Sequence, residues 1–536
     1  MPPLLVAILF WTPALADDYP RNQNVDVLHY GFHLTLSDSS DEILGEASIT
    51  VRFRAAGVSE FGLDLVGRRA DSTGMTVISV GRNDTSLDYS HQHDRLIVHM
   101  VSPSGTDERR TYAITYRGIP ADGLIISENK YGERTFFGDN WPDRARNWLP
   151  TVDHVSDKAT VDFIVDAPDH YQVVANGLPV EETDLSSNRR RTHWRNTVPI
   201  PTKVMVIGVA RFAVQYVDHV GRIPVESWVY PQDRDAGFYD YAVAVQVLTF
   251  FNGHIGPYPY AKLANVQSKT RYGGMENAGN IFYNERSVTG NRRAERTIAH
   301  EIAHQWFGDS VTENDWHHVW LSEGFATYFA QLYVEFTYGR EEMIRGMRQA
   351  RQRVISFFKD NPDLAVVAPS IKDLNKLLNA NSYQKGGWVL HMLRHLVGDE
   401  AFWKGIHAYY RQYRDANALT EDFQRVMEET SGEELGWFFR QWIYQPGQPE
   451  YQGFWHYDET SGQLTVTLNQ VQENGSFFKM PVDLAIHTED EAATRREVVQ
   501  LDQIENTFTF ALDAPPTSVE LDPDTWMLMQ ATFTER

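Results

Sequence analysis

RTIAHEIAHQWFGDSVTENDWHHVWLSEGFATYF, residues 296 to 329, carries two histidines four positions apart, His300 and His304, with Glu301 directly after the first. On an α-helix a four-residue step puts both imidazoles on one face, where they can meet one metal ion. Thr297, Ile298, Ala299, Ile302 and Ala303 suit a partly buried helix, and Gly308 is a stop for it. Nineteen residues after His304 comes Glu323, at the start of an apolar, aromatic segment that runs to Phe336. That is enough chain to leave one helix, turn and return with a carboxylate. Two histidines and a glutamate at this spacing form the protein half of a catalytic site for one zinc ion, with a fourth position left for water. Glu301 is not expected to bind the ion; its place beside His300 suits it to take a proton from the activated water. The pentad alone also occurs by chance in ordinary buried helices, and Glu323 is what separates the two readings.

A chain of 536 residues is too long for one hydrophobic core. Its 72 acidic against 49 basic residues give a formal charge of −23, which argues against a nucleic-acid partner. There is no cysteine, so a metal must be held by histidine and carboxylate. Residues 1–16, MPPLLVAILFWTPALA, read as a removable export leader: a short apolar run followed by the small-x-small signal Ala14-Leu15-Ala16. The run is too short to anchor the chain across a bilayer. The expected destination is a bacterial periplasm or the extracellular space, with a cytoplasmic protein bearing an apolar arm as the alternative.

Residues 17–210 read as an antiparallel β domain. Phe32, Leu34 and Leu36 alternate, as do Ala47, Ile49, Val51 and Phe53, and then Val161, Phe163 and Val165. Asn83-Asp84-Thr85 and Asn474-Gly475-Ser476 match a glycosylation pattern, with polar turns as the plain reading. Residues 211–450 change texture, with a helix expected near 241–251 and Asn265-Val266-Gln267 as an edge strand beside a cleft. Gly273-Gly274-Met275-Glu276-Asn277 follows, its glycines letting backbone approach a ligand closely and presenting one carboxylate. Helices are expected at 340–358, 384–397, 399–414, 420–430 and 433–443. Tyr383 lies at a loop-to-helix entry, where its hydroxyl can support a developing oxyanion. Residues 451–536 read as a small β-sandwich.

With these residues in view, the chain resembles the aminopeptidase N family of zinc metallopeptidases, the gluzincins of peptidase family M1. Gly273-Gly274-Met275-Glu276-Asn277 matches the family's G-x-M-E-N motif, His300-Glu301-x-x-His304 with Glu323 its zinc signature, and Tyr383-x-Lys385-Gly386 its tyrosine segment. The resemblance implies a multidomain α+β protein: an N-terminal β saddle, a thermolysin-like α/β catalytic domain and a small C-terminal β-sandwich. It implies that His300, His304 and Glu323 bind zinc, that Glu301 is the general base and that Tyr383 stabilises the tetrahedral intermediate. Glu276 is implied to hold the free α-amine of a peptide, with Gly273, Gly274, Met275 and Asn277 lining its backbone. A second amine anchor belongs upstream of Arg146-x-x-Leu149-Pro150, where Asp139 or Asn140 is the nearest candidate; Gln267 is a further candidate contact. Two positions depart from the pattern, Ser322 and Asp309 standing where the family has asparagine. The large helical C-terminal domain of many relatives has no counterpart in this sequence, which implies a more open cleft.

The function expected is hydrolysis of the N-terminal residue from peptides with a free α-amine. The alternatives are an endopeptidase or epoxide-type hydrolase on the same site, and a peptide-binding homologue with weak or no catalysis. The sequence leaves the oligomeric state open.

Overall fold

The computed structural model describes residues 17–473, 475–489 and 494–536. The leader at 1–16 and Asn474, which begins the second glycosylation pattern, lie outside the described residues.

Alternation of apolar and polar side chains builds the first body. Strand Val25–Thr35 buries Tyr30, Phe32 and Leu34; it pairs antiparallel with Ile43–Phe53 and parallel with Lys158–Pro168, which buries Val161, Phe163 and Val165. These three are the middle of an eight-stranded sheet, and a four-stranded sheet accompanies it, built from Gln172–Ala175, Ile207–Ala210, Arg134–Gly138 and Leu124–Glu128. Parallel pairing inside a largely antiparallel sheet follows from the long excursion between Thr35 and Lys158, which two-residue turns cannot make. Asn83 and Asp84 form the tight turn between Gly74–Arg82 and Thr85–Ser86, both at positive φ, as such hairpins require.

The second body pairs a five-stranded sheet with helices. Its strand order is Ala213–Val220, Ile223–Val229, Leu263–Ser268, Asn280–Asn284 and Gly274–Met275. Leu263–Ser268, expected at an edge, is the central strand, bonded in parallel on both sides. The edge belongs to Gly274–Met275 instead. Helices α1 (Arg234–Tyr241) and α2 (Ala244–His254) precede α3 (Glu295–His304). The turn feeding α3 is tied by the buried Asp240 carboxylate, which accepts from the N–H groups of Thr289, Gly290 and Arg292 at 2.6–2.8 Å. Helix α3 buries Ile298, Ala299, Ile302 and Ala303 against α4 (Trp320–Tyr338), itself buried for most of its length.

Helices α5 (Arg340–Asp360), α6 (Gly386–Val397), α7 (Asp399–Tyr413), α8 (Thr420–Ser431) and α9 (Gly436–Phe439) complete this body. The last stretch, expected as one helix over 433–443, opens after Phe439 into a wide turn, Arg440–Tyr444, that directs Gln441, Trp442 and Ile443 inward. A sandwich of four strands (Glu505–Ala511, Gln463–Gln470, Glu450–Asp458, Gln530–Glu535) and three (Arg495–Leu501, Met480–His487, Ser518–Leu521) ends the chain. It is docked on α6 through Trp526, whose ring stacks on His391 and His395 at 4.5 and 4.9 Å. Among the described residues no helix is long and apolar enough to cross a membrane.

Candidate active site

The four-residue step on α3 does what the spacing predicts: His300 and His304 turn to the same side with their Nε2 atoms 3.1 Å apart. Helix α4 returns antiparallel enough to bring Glu323 to them, its Oε2 standing 3.3 Å from His300 Nε2 and 3.2 Å from His304 Nε2. A tetrahedral zinc ion at about 2.0–2.1 Å from each ligand sets those ligands roughly 3.3–3.4 Å apart. The triangle therefore fits one zinc ion, and the donor set, two imidazoles and a carboxylate, is a zinc set. The two imidazoles differ: burial holds His300 below its ordinary value although Glu323 opposes it. Burial works to keep His304 neutral, but the carboxylates of Glu323 and Glu276 outweigh it and push the imidazole up to about 10. The His304 side of the triangle thus draws a positive charge, whether proton or metal.

The ring of His304 is fixed from behind. Its Nδ1 lies 3.1 Å from the Phe307 carbonyl and 3.0 Å from Ser322 Oγ, so with Nδ1 donating, the Nε2 lone pair is left for a metal ion to take. Gly308 makes room for Ser322: a Cβ there would come within 2.2 Å of Ser322 Oγ, and its φ of +118° suits only glycine. One of the two departures from the family pattern, Ser322, thereby supports the His304 ring. The other, Asp309, is wholly buried and accepts from Gln305 Nε2 at 3.0 Å; the same amide nitrogen donates to the carbonyl of Glu276.

Around the triangle stand three further groups. Glu301 is buried, and that burial, with the charges of Glu276 and Glu323, pushes its carboxyl well above the usual range, His304 opposing. Edge strand Gly274–Met275 passes so close that a Cβ at Gly274 would lie 2.3 Å from Glu301 Oε1, whereas one at Gly273 would meet nothing within 4 Å. Tyr383 sits in the wide turn Asn381–Lys385 that leads into α6, its ring stacked over His300 at 5.8 Å. Burial, then Glu323, Glu276 and Glu301, hold its phenol protonated far above the ordinary range, so it is a donor. Glu276 follows the edge strand, is only 4% exposed, and its Oε1 has no hydrogen-bond partner among the described residues. A ligand oxygen of Glu276, one of Glu301 and a ring nitrogen of His304 all lie within 4.8 Å of one another.

The cleft over these groups is walled by Trp141, Tyr272, Met275 and Leu378. Trp141, Tyr272 and Leu378 belong to none of the sequence motifs; the aromatic residues Phe136, Phe137, Trp141 and Trp148, close together in the chain, are a signal for the first. Three candidates fall outside the cleft. Asp139 is buried and used up by Arg144 at 2.8 Å and the Arg271 N–H at 3.1 Å. Asn140 donates to the carbonyls of Thr202 and Met205 and accepts from Trp148 Nε1. Gln267 accepts from the Tyr230 N–H and donates to Asp233 and the Glu285 carbonyl. Each spends its polar atoms on the interior, so none is free to meet a ligand. Asn277 is buried and does not line the cleft.

One helix offering two imidazoles to an ion, with a carboxylate delivered from the next, is the arrangement of a mononuclear zinc metallopeptidase. The Peptidase M1 N-terminal domain matches residues 27–204 and the Peptidase family M1 domain residues 239–442, and the chain belongs to that family. Probable aminopeptidase 2 of Sulfurisphaera tokodaii is 27% identical over 398 residues, 71% of this chain and 50% of that protein. Glutamyl aminopeptidase of Bitis rhinoceros is 25% identical over 448 residues, 79% of this chain and 47% of that protein. The chain thus spans about half the length of these relatives. Among solved structures, aminopeptidase A of Legionella pneumophila, determined with aspartic acid, superposes with a TM-score of 0.80 at 20% identity, covering 96% of this chain and 60% of that one. An M1 zinc metallopeptidase from Deinococcus radiodurans gives 0.66 at 24% identity, covering 78% and 94%. These two likenesses establish the multidomain α+β fold.

Proposed function

We propose that the protein is a zinc aminopeptidase that removes the first residue from peptides with a free α-amine. The observation that carries this reading is the Glu276 Oε1, buried near His304 and without a hydrogen-bond partner among the described residues. A buried carboxylate without a partner is costly, and a substrate ammonium resolves the cost. An acylated terminus offers no such charge and leaves the oxygen bare.

In this mechanism the α-ammonium docks on Glu276 and the peptide extends along edge strand Gly274–Met275. His300, His304 and Glu323 would hold the zinc ion, which when bound acidifies a water and polarises the scissile carbonyl. Glu301 accepts the proton of that water at its carboxylate and passes it to the departing amine. The Tyr383 hydroxyl donates to the oxygen that gains charge in the transition state. The walls are apolar and aromatic, and Arg144, the cation over the Tyr272 ring, is already paired with Asp139, so apolar first residues are expected to be preferred. Export to a periplasm or the outside is part of the same reading and is supported by the leader alone.

The test is hydrolysis of matched short peptides, each as free amine and as its N-acetylated twin, with zinc present. Turnover confined to the free amines is expected. Equal turnover of both sets would show an endopeptidase, and zinc binding without turnover in either would show a peptide-binding protein.

A further inference from the structure

Asp17, the residue that follows the leader signal, is not loose. Its side chain is 6% exposed, and its Oδ2 accepts from His154 Nε2 at 2.8 Å, Arg21 Nη2 at 3.0 Å and the Trp316 N–H at 3.3 Å. Its own backbone nitrogen donates to Asp315 Oδ2 at 2.8 Å. The Asp315 side chain is 8% exposed; the same oxygen meets Arg21 at 3.4 Å, and its Oδ1 accepts from the His317 N–H at 2.9 Å and contacts Nδ1 at 3.0 Å. Tyr19 stacks on His154 at 4.6 Å and donates to Asp64.

Chain ends fray unless something ties them down. Here the tie is ionic, and it is aimed at a backbone nitrogen. Two nearly buried carboxylates, Asp17 and Asp315, share one guanidinium, Arg21, with the imidazoles of His154 and His317 as their other side-chain donors. An amide N–H at residue 17 brings this cluster one neutral donor. An α-ammonium at the same atom brings a full positive charge and charge-assisted bonds. The small-x-small signal Ala14-Leu15-Ala16 ends at the bond that would have to break to make one. A sequence rule and a carboxylate in the folded protein therefore meet at a single atom.

We propose that Asp17 is a processed N-terminus and that its α-ammonium is the built partner of Asp315. A leader-removing endopeptidase hydrolyses the Ala16–Asp17 bond. One water adds across the amide, Ala16 leaves as the carboxylate, and the Asp17 nitrogen gains protons to become the ammonium. The consequence reaches the active site along a short path. Asp315 opens the turn Trp316–His318 that leads into α4 and Glu323, and the Trp316 ring packs edge-on against Trp141 of the cleft at 5.7 Å. Leader removal thus braces the segment that delivers the third zinc ligand. The inference rests on the leader reading, and its two parts fail separately.

The experiment compares two zinc-loaded forms of the chain, one beginning at Asp17 and one with Gly-Ser ahead of it, each with Asp315 intact and as Asp315→Asn. A separately exported sample has its N-terminal peptide read by mass spectrometry. The form beginning at Asp17 is expected to melt at least about 2 °C above the extended form, and the gap closes in Asp315→Asn. Its α-amine is expected to be acylated roughly tenfold more slowly than in Asp315→Asn, the scale of one charge-assisted bond. Equal melting of the two wild-type forms overturns the docking and needs no variant to fold. An exported chain that starts anywhere but Asp17 overturns the processing, whatever the melting temperatures show.

Discussion

Gly274 shows how much a missing side chain can decide. Its backbone runs against Glu301 so closely that one added methyl would overlap the carboxylate, while Gly273, one residue back, faces open space. Gly274→Ala is expected to lower kcat/KM by about 100-fold, the cost of moving a catalytic group by roughly 1 Å. Gly273→Ala is expected to stay near the parent value; comparable losses in both would mean that the strand, not the contact, matters. Ser322 is a second case. It shares His304 Nδ1 with the Phe307 carbonyl, so Ser322→Ala leaves one orienting partner in place. The expected result is zinc affinity lower by about tenfold, the small end of what such outer partners contribute, read by competition with a chelator. Unchanged affinity would assign the orientation of the ring to Phe307 alone.

At the scale of elements, the turn that carries Tyr383 is held from two sides. Gly324 of α4 and Gly386 at the start of α6 cross so closely that a Cβ on either would come within 2.9 Å of the other's backbone, which is what sets Tyr383 over His300. On the other side the buried Lys385 donates to the carbonyls of Gly447 at 2.7 Å and Gln445 at 3.3 Å, and burial pulls its pKa down to about 7. A lysine whose folded pKa is depressed gives stability that is present above the unfolded value and lost as pH falls through the folded one. The stability difference between the parent and Lys385→Met should therefore grow from pH 7 towards pH 10, by up to about 1.4 kcal/mol per unit. Thermal melts across that range check it, and a flat difference would place the lysine's charge elsewhere. These supports were not legible beforehand. The pentad and Glu323 could be read because a helix face is a local property and the return segment is marked by its aromatic residues. Whether Asp139, Asn140 or Gln267 would be free could not, because beside the near partners Arg144 and Trp148 stand groups tens of residues away that only the fold brings to them. The order of strands that puts Gly274–Met275 at the edge is likewise set by packing between segments, and no period of the sequence carries it.

Across the whole molecule, the second body leans on the first β body through buried charge. Lys203 of the latter meets Glu313 of the former at 2.8 Å, both almost wholly buried, and the ammonium also lies over the Trp316 ring at 5.7 Å. Lys158 reaches across in the same direction to the carbonyls of Asp309, Ser310 and Ala416. Apart from Ala416, the residues so gripped lie within 309–316, the stretch that joins α3 to the helix bearing Glu323, so the β body holds the connection between the two helices. Removing one member of a buried pair strands the other, at a cost of about 3–5 kcal/mol, whereas replacing both by apolar groups of similar size is often neutral. Lys203→Met alone should lower the melting temperature by several degrees, and Lys203→Met with Glu313→Met should recover most of it. If the pair serves only stability, the double variant regains turnover along with its melting temperature. If the ammonium also tempers the negative charge that Glu276 places beside the histidines, the double variant melts normally and remains slow, with the deficit in kcat rather than in folding.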